Sequence, residues 1–295
     1  MDFLDIDDID ADQLESILDR AAGMKAGEID EQLPGATLTM VYEKPSTRTR
    51  VSFETGMTKL GGHAIYLGPD DIGLSDGREP IRDVARVLGR YGEVAMLRLF
   101  DHEDAVEFAE HADVPVINGL TDDAHPCQTL ADLLTIREEF GSFEDVQVSW
   151  VGDGNNVAQS FVLGAALADL SLSVCTPPEH GIDDEVIERA AALGGEPEFV
   201  DDPADAVADA DVVYTDVWVS MGEEDVREEK LAAFDGYQLN DDLLSGTDAK
   251  VMHCLPAHRG EEVTNGVLES DRAIVWNQAE NRMWAQNALL VELLG

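Results

Sequence analysis

The sequence predicts an α/β protein with two doubly wound parallel-sheet domains and an active-site cleft between them. Short apolar runs alternate with longer segments of helical periodicity along the whole chain, which is typical of parallel sheets covered by helices. The length of 295 residues suggests about two such domains. Polar residues that carry chemistry follow several of the apolar runs, where ligands bind in open parallel sheets.

The first domain is predicted to span residues 1–140. Its strands are expected near residues 36–42, 63–67, 94–99 and 114–118. Its helices are expected near residues 11–22, 50–60, 80–91 and 103–111, followed by a helix from about residue 125 to residue 140. Gly141 and Ser142 then mark a domain boundary, because glycine and serine together favour a break in the helix.

The second domain is predicted to span residues 141–278. Its strands are expected near residues 146–152, 171–175, 211–215, 249–253 and 273–276, with helices between them. The last segment, residues 279–295, has the pattern of an amphipathic helix. We expect this helix to pack back on the first domain.

The charge of the chain excludes several classes of partner. It carries 62 Asp and Glu against 19 Lys and Arg, a formal net charge of -43, and it has no basic stripe to bind nucleic acid. No run approaches the roughly 18 apolar residues of a membrane span, and the first residues lack the pattern of a signal peptide. Three cysteines without a CxxC pair argue against a disulfide framework. We therefore expect a cytoplasmic protein without membrane or nucleic-acid partners.

The acidic residues are spread over the whole chain, which predicts adaptation to a salt-rich, halophilic cytoplasm. A surface with this charge repels itself at low ionic strength. In about 1 M salt the Debye length falls to about 3 Å, so exposed charges largely cease to interact.

The segment from Ser46 to Arg50, with the sequence STRTR, is the clearest candidate for a phosphate site. It follows an apolar strand and opens a helical pattern, so hydroxyls, backbone N–H groups and the positive end of a helix dipole converge there. Two guanidiniums, those of Arg48 and Arg50, can add bidentate contacts. The alternative is a capped surface helix with solvated arginines.

Two further segments of the first domain carry polar groups at strand ends. Arg98 closes an apolar run, where a cation needs an anion or a structural carboxylate as partner. His125 and Gln128 open the next helix within the sequence HPCQ. A structural salt bridge and an ordinary helix cap are the alternatives at these positions.

The sequence GDGNN, from Gly152 to Asn156, follows a strand and opens a helix. It is an incomplete dinucleotide fingerprint, because Val157 stands where a third glycine is needed for close helix packing. The adjacent amides of Asn155 and Asn156 instead suit a carboxylate or the backbone of an amino acid. A nicotinamide-linked dehydrogenase remains the alternative that this loop favours.

Two later strand ends complete the candidate set. Asp216 opens the sequence DVWVSMG and would pair with a cationic amine, while Ser220 and the backbone of Met221 would hold its other end. The alternative is an ordinary loop. His253 and Cys254 end another strand, and adjacent strand residues are expected to face opposite sides. We therefore expect Cys254 to act noncovalently rather than as a nucleophile activated by His253.

Taken in order, the motifs STRTR, HPCQ, GDGNN, DVWVSMG, HCLP and ENR resemble those of the ornithine carbamoyltransferases over nearly the whole chain. Aspartate carbamoyltransferases share STRTR, but typically have HPTQ and HPLP and lack the SMG loop. The resemblance implies transfer of a carbamoyl group between carbamoyl phosphate and L-ornithine, giving L-citrulline and phosphate, or the reverse reaction. It implies no cofactor and no metal, and a homo-oligomer built from trimers.

The resemblance also implies a role for each motif residue. Carbamoyl phosphate would be bound in the first domain by Ser46, Thr47, Arg48, Thr49, Arg98, His125 and Gln128, with Leu255 and Arg282 completing the site. L-Ornithine would be bound in the second domain by Asn155, Asn156, Asp216, Ser220, Met221 and Cys254. The catalytic residues would be Arg98, His125, Asp216 and Cys254. A carbamoyltransferase for another amine such as putrescine, and a noncatalytic homologue, remain open.

Overall fold

The computed structural model describes residues 1–72, 79–220 and 222–295. The chain divides into two compact units. Unit 1 contains residues 1–134 and 280–295, and unit 2 contains residues 135–279.

Unit 1 is built on a four-stranded parallel sheet. Its strands are β1 (Thr37–Tyr42), β2 (His63–Leu67), β3 (Val94–Arg98) and β4 (Val116–Leu120), in the order β2-β1-β3-β4. β3 is buried along its whole length, as expected for an inner strand of a sheet that is covered on both faces. The strand order reverses its direction between β1 and β3, so the ends of these two strands form a switch point where ligands bind.

Within the described part of unit 1, the α-helices that belong wholly to it are α1 (Ala11–Ala26), α2 (Thr47–Lys59), α3 (Pro69–Ile72), α4 (Ile81–Leu88) and α5 (His102–His111). A sixth helix, α6 (Pro126–Phe140), begins in unit 1 and ends in unit 2. α1 begins at a capping box formed by Asp10 and Gln13 and ends at Gly27, whose φ of 73° suits a glycine.

Unit 2 is built on a five-stranded parallel sheet. Its strands are β5 (Gln147–Val151), β6 (Ser171–Cys175), β7 (Glu198–Phe199), β8 (Val212–Thr215) and β9 (Lys250–His253), in the order β7-β6-β5-β8-β9. The order reverses between β5 and β8, which makes their ends the switch point of this sheet. The two parallel sheets with flanking helices confirm the predicted α/β class.

The helices of unit 2 are α7 (Asn156–Leu167), α8 (Asp184–Leu193), α9 (Pro203–Ala208), α10 (Arg227–Ala233) and α11 (Asn265–Leu268). The last helix, α12 (Val275–Leu294), begins in unit 2 and continues into unit 1. Within unit 1, Arg20 of α1 forms an ion pair of 2.6 Å with Glu292 of α12.

The strand predicted near residues 273–276 is wrong. Ala273 makes one isolated bridge to Val251, and α12 begins two residues later at Val275. The backbone of Ile274 still donates to the Val251 carbonyl at 3.0 Å, so the segment touches β9 before it turns helical. The helix formers that follow, including Gln278 and Ala279, explain why helix wins over a fifth long strand. The short strand β7 was not predicted.

Among the described residues, no helix is long and apolar enough to cross a membrane.

Candidate active site

The polar residues predicted in unit 1 lie at the carboxyl ends of three adjacent strands. Ser46 follows β1, Arg98 ends β3 and His125 follows β4. Because neighbouring parallel strands end at the same edge of a sheet, the strand order brings these segments together at one edge. We call this group, with Thr49, Gln128 and Arg282, the donor set.

Ser46 begins α2 as its N-cap. Its hydroxyl oxygen accepts the Thr49 N–H at 3.3 Å, and its backbone is extended, as a cap requires. The first turn of α2 contains no acidic residue, so its positive end is not neutralised from within the helix. Thr47 is exposed and Arg48 is half-buried in this turn. The turn therefore has the features of an anion site.

Arg50 occupies a different place from the one that the sequence suggests. Its Nε donates to Glu54 at 2.9 Å, and its guanidinium lies 4.0 Å from the centre of the Tyr66 ring. Arg50 is exposed and bound to its own helix and to β2. Of the two guanidiniums in STRTR, Arg48 is thus the one that remains a candidate for the phosphate.

Arg282 of α12 joins two segments of the donor set. This side chain is buried, with 4% of its surface exposed. Its Nη2 donates to the Thr49 hydroxyl at 2.9 Å, and its Nη1 donates to the Gln128 Oε1 at 3.0 Å. Gln128 in turn donates through Nε2 to Asp132 at 2.8 Å. The buried carboxylate of Asp132, one turn along α6, was missed because the sequence TLADLL looks like an ordinary helix.

Burial sets the charge state of His125, and the charges of Arg282 and Arg98 act in the same direction. Arg98 is buried, and its Nε donates to the Lys44 carbonyl at 3.2 Å. Burial, followed by the charges of Arg282 and Arg98, holds the pKa of His125 well below its usual range. His125 is therefore neutral at pH 7, and its ring offers one N–H donor without adding a third positive charge.

Lys44 and Tyr42 surround Arg98 and were not singled out in the sequence. Lys44 is buried, forms an ion pair with Asp122, and lies 4.3 Å from the centre of the Phe100 ring. Tyr42 is the register partner of Arg98, and burial raises its pKa above the usual value against the lowering effect of Arg98. The phenol therefore stays neutral and can only donate or accept hydrogen bonds.

Cys127 is excluded as a reactive group. Its thiol donates to the Asn118 carbonyl at 3.4 Å. Burial raises the pKa of Cys127 to about 12. Because the thiolate is the nucleophilic form, this cysteine is inert at neutral pH.

The polar residues predicted in unit 2 also lie at the ends of three adjacent strands. Asn155 follows β5, Asp216 follows β8 and Cys254 follows β9. β8 lies between β5 and β9, so Asp216 is expected between the other two side chains. We call these three residues, with His253 and Glu262, the acceptor set.

The hydrogen bonds of Asp216 agree with the strand order. Its Oδ2 accepts the Asn155 Nδ2–H at 2.9 Å, and its Oδ1 accepts the Cys254 thiol at 2.9 Å. Asn155 also caps α7, because its Oδ1 accepts the N–H groups of Val157 and Ala158 at 3.0 and 3.2 Å. Both the oxygen and the nitrogen of the Asn155 side chain therefore form hydrogen bonds within the protein. Asn156, at the first position of α7, is half-buried.

His253 lies closer to Cys254 than expected. A ring nitrogen of His253, the sulfur of Cys254 and a carboxylate oxygen of Asp216 all lie within 4.8 Å of one another. The prediction that His253 and Cys254 face opposite sides is wrong because β9 ends at His253, so strand alternation does not extend to Cys254.

The ring of His253 is held on both sides. Its Nδ1 accepts the Leu255 N–H at 2.9 Å, so the ring proton is on Nε2, which lies 3.0 Å from Glu262 Oε1. Nδ1 is also 3.7 Å from Asp216. Glu262 and His253 are both fully buried. Glu262 was missed because its segment, RGEEVT, looks like a charged surface turn.

Leu255 contacts this group, and Ser220 contacts Glu223 instead. Leu255 has a φ of 61°, and its N–H is the group that His253 holds. The Ser220 N–H donates to Glu223 Oε2 at 2.8 Å. Met221 lies outside the described residues.

Asp216, His253 and Cys254 have the composition of a metal site, since carboxylate, imidazole and thiolate all bind zinc. Cys254 donates its thiol proton to Asp216, and a metal would have to displace that proton. His258, Glu261 and Glu262 form a second such group among the described residues. In that group Glu261 forms an ion pair with Arg227.

Comparison with known proteins gives consistent matches over the full length. Residues 1–138 match the sequence model described as the carbamoyl-P binding domain of aspartate/ornithine carbamoyltransferase. Residues 144–293 match the model described as its Asp/Orn binding domain.

Curated relatives and solved structures agree with these matches. An ornithine carbamoyltransferase of Haloquadratum walsbyi is 65% identical over 292 residues, which cover 99% of this chain and 97% of the relative. One of Methanoculleus marisnigri is 52% identical, with coverage of 99% and 96%. The structure of ornithine carbamoyltransferase from Pyrococcus furiosus superimposes with a TM-score of 0.93 at 48% identity and covers 100% of this chain and 97% of its own.

Proposed function

The chain belongs to the aspartate/ornithine carbamoyltransferase family, and on this premise we propose that it transfers the carbamoyl group of carbamoyl phosphate to the side-chain amine of L-ornithine. The products are L-citrulline and phosphate. The observation that carries the proposal is the opposite charge of the two sets. Buried guanidiniums lie at the strand ends of unit 1, and a buried carboxylate lies at the strand ends of unit 2. An anionic donor and a cationic acceptor match these charges.

Unit 1 would bind carbamoyl phosphate. The phosphate takes the N-terminus of α2, where Ser46, Thr47, Arg48 and Thr49 supply hydroxyls, N–H groups and one guanidinium. Arg98, His125, Gln128 and Arg282 hold the carbamoyl end.

Unit 2 would bind L-ornithine. The amides of Asn155 and Asn156 suit the amino-acid backbone, and the resemblance favours Asn156, with Asn155 beside it. Ser220 and the backbone of Met221 hold the same end of the substrate. Asp216 and Cys254 lie where a carboxylate and a thiol can position the cationic side-chain amine.

The amine must lose a proton before it attacks. An amine with a pKa of about 10.4 is neutral in about one molecule in 2,500 at pH 7, a cost of about 4.6 kcal/mol. The Asp216 carboxylate accepts the Cys254 thiol at 2.9 Å, and its Oδ1 lies 3.7 Å from the Nδ1 of His253. Asp216 can take up the proton, and the departing phosphate is a second acceptor.

Negative charge grows on the carbamoyl oxygen as the amine adds. Arg98, the neutral ring of His125 and the Thr49 hydroxyl are donors fixed in advance by their own hydrogen bonds and burial. Such fixed donors stabilise the transition state more than the ground state, and removing one commonly costs about 10² to 10³ in rate.

The reaction is tested by mixing the purified protein with carbamoyl phosphate and L-ornithine in molar KCl and measuring citrulline. Putrescine and other amines serve as competing acceptors. If carbamoyl-putrescine forms in preference to citrulline, putrescine rather than L-ornithine is the amine substrate. Rates in both directions decide whether the protein favours synthesis or phosphorolysis of citrulline. Absence of any carbamoyl transfer in molar KCl would refute the proposal.

We further propose a homotrimer or a multiple of trimers. In unit 1, the apolar side chains of Val51, Ile65, Val87 and Tyr91 are exposed, as expected for a surface that another copy covers. Light scattering at high salt should give at least three times the chain mass of 32.1 kDa. A monomeric mass would refute this proposal.

We also propose a cytoplasmic, salt-rich setting. The half-buried Cys254 thiol must stay reduced to donate to Asp216, which a reducing compartment favours. The net charge of -43 predicts that the melting temperature rises steeply as KCl approaches molar concentration. Equal stability in dilute buffer and in molar KCl would contradict the halophilic assignment.

A further inference from the structure

Lys230 of α10 belongs neither to the sequence motifs nor to the acceptor set, yet its contacts are unusual for a lysine. Only five lysines occur in the chain, and this one has just 8% of its surface exposed. Its Nζ lies 2.8 Å from Asp153 Oδ2 and 2.9 and 2.7 Å from the two oxygens of Glu223. One ammonium group therefore bridges two carboxylates that belong to different segments.

Each carboxylate is fixed to a segment of the proposed ornithine site. Asp153 lies in the turn after β5, two residues before Asn155, and its carbonyl accepts the Trp150 indole N–H at 3.0 Å. Glu223 lies three residues after Ser220 and accepts the Ser220 N–H at 2.8 Å. Lys230 thereby connects the GDGNN turn to the loop that carries Ser220 and Met221.

The charges show that this connection depends on the lysine. Burial raises the pKa of Asp153, against the lowering effect of Lys230. Burial lowers the pKa of Lys230, but the hydrogen bonds to Asp153 and Glu223 outweigh it and raise the pKa above the usual value. Without the ammonium, two carboxylates of like charge would face each other with little water between them, and they would separate.

We propose that Lys230 is a positioning residue for the amino-acid acceptor. It sets the spacing between the turn that carries Asn155 and Asn156 and the loop that carries Ser220, while touching neither substrate. This inference rests on the proposed function, because it takes those residues as the ornithine site. Since Lys230 and Asp153 are both buried, molar salt screens their pairing weakly, and its effect persists at high ionic strength.

The test compares Lys230→Met with the wild-type protein in molar KCl. We expect the KM for L-ornithine to rise about tenfold or more, because a misplaced loop weakens binding of the amino-acid end. The KM for carbamoyl phosphate should stay unchanged, because the donor set lies wholly in unit 1, whereas Lys230 and its two partners lie in unit 2. Lys230→Arg, which keeps the charge, should restore most of the ornithine affinity.

Lys250→Met is the matched control. Lys250 also forms an ion pair, at 3.0 Å with Glu139, and it lies in the same unit at the start of β9, the opposite end of that strand from His253 and Cys254. It should lower stability slightly and leave both KM values unchanged. A Lys230→Met protein whose two KM values rise together, or whose ornithine KM stays at the wild-type value, would overturn the positioning role.

A second route covers the case in which Lys230→Met does not fold. Glu223→Gln weakens the same bridge from its more exposed side and should raise the ornithine KM in the same direction, by a smaller factor. A Glu223→Gln protein with the wild-type KM for L-ornithine would then overturn the bridge. Failure of the wild type to form citrulline would refute the proposed function instead, so the two failures are distinguishable.

Discussion

Replacing Asp216 by Asn tests the acceptor set most directly. The carboxylate accepts from Asn155 through Oδ2 and from Cys254 through Oδ1, both at 2.9 Å. An Asn side chain has one acceptor oxygen, which can keep the bond from Asn155. Its NH₂ group then faces the Cys254 sulfur, a weak acceptor. We therefore expect the variant to fold with a change in stability of about 1 kcal/mol.

The effect on the reaction should be larger than the effect on stability. A hydrogen bond between a charged amine and a carboxylate contributes about 1.5 to 3 kcal/mol. Its loss corresponds to a fall of about 10- to 150-fold in kcat/KM for L-ornithine. The loss of the group that takes up the proton would add to this factor. The KM for carbamoyl phosphate should not change, because Asp216 belongs to unit 2 and to the acceptor set.

The assay is citrulline formation in molar KCl with carbamoyl phosphate saturating and L-ornithine varied. Asp184→Asn, at an exposed position in the first turn of α8, removes the same charge away from the site and serves as the control. An Asp216→Asn protein with wild-type ornithine kinetics would refute the role given to this carboxylate. A parallel loss of carbamoyl phosphate affinity would refute the division of labour between the two sets.

Three other predictions concern the donor set and the thiols. Arg98→Met should lower kcat about 10² to 10³-fold while the melting temperature stays near that of the wild type, and near-normal citrulline formation would contradict its role. Burial raises the pKa values of Cys127 and Cys175 to about 12, so in the folded protein at pH 8 iodoacetamide should leave both unmodified and any label found by mass spectrometry should be on Cys254. The lowered pKa of His125 means that the unfolded chain binds more protons below about pH 6.5, so stability is lost as pH falls through that value. Between pH 7.5 and pH 5, the free energy of unfolding in urea should fall less for His125→Gln than for the wild type. An equal fall in the two proteins would contradict the lowered pKa of His125.

The sheets could be predicted from the sequence because each inner strand is a short apolar run that ends in a polar residue. β3, for example, is apolar up to Arg98 and is buried throughout. The strand predicted near residues 273–276 was wrong for a physical reason. The apolar residues Ala273 to Val275 fit either a buried strand or the first turn of a helix. β7 was missed because two residues at an edge leave no periodic pattern to recognise.

The site residues at strand ends could be predicted from the local sequence, but the side chains that hold them in place could not. Glu262 and Asp132 are buried carboxylates within segments whose local pattern is that of a surface turn and of an ordinary helix. Lys230 follows two glutamates on a short polar helix, which by itself indicates a solvated surface. Only the three-dimensional arrangement shows which group each of them orients. Arg50 illustrates the converse, because a residue within the clearest motif turns to Glu54 and Tyr66.

The amide of Asn155 performs two tasks with one side chain, since its oxygen begins α7 and its nitrogen steadies Asp216. A substitution there cannot impair chemistry silently, because it also frees the first turn of a helix that lies almost wholly inside unit 2. Loss of such a cap commonly costs about 0.5 to 2 kcal/mol, so a substitution at Asn155 lowers the stability of unit 2 and loosens the Asp216 carboxylate at the same time.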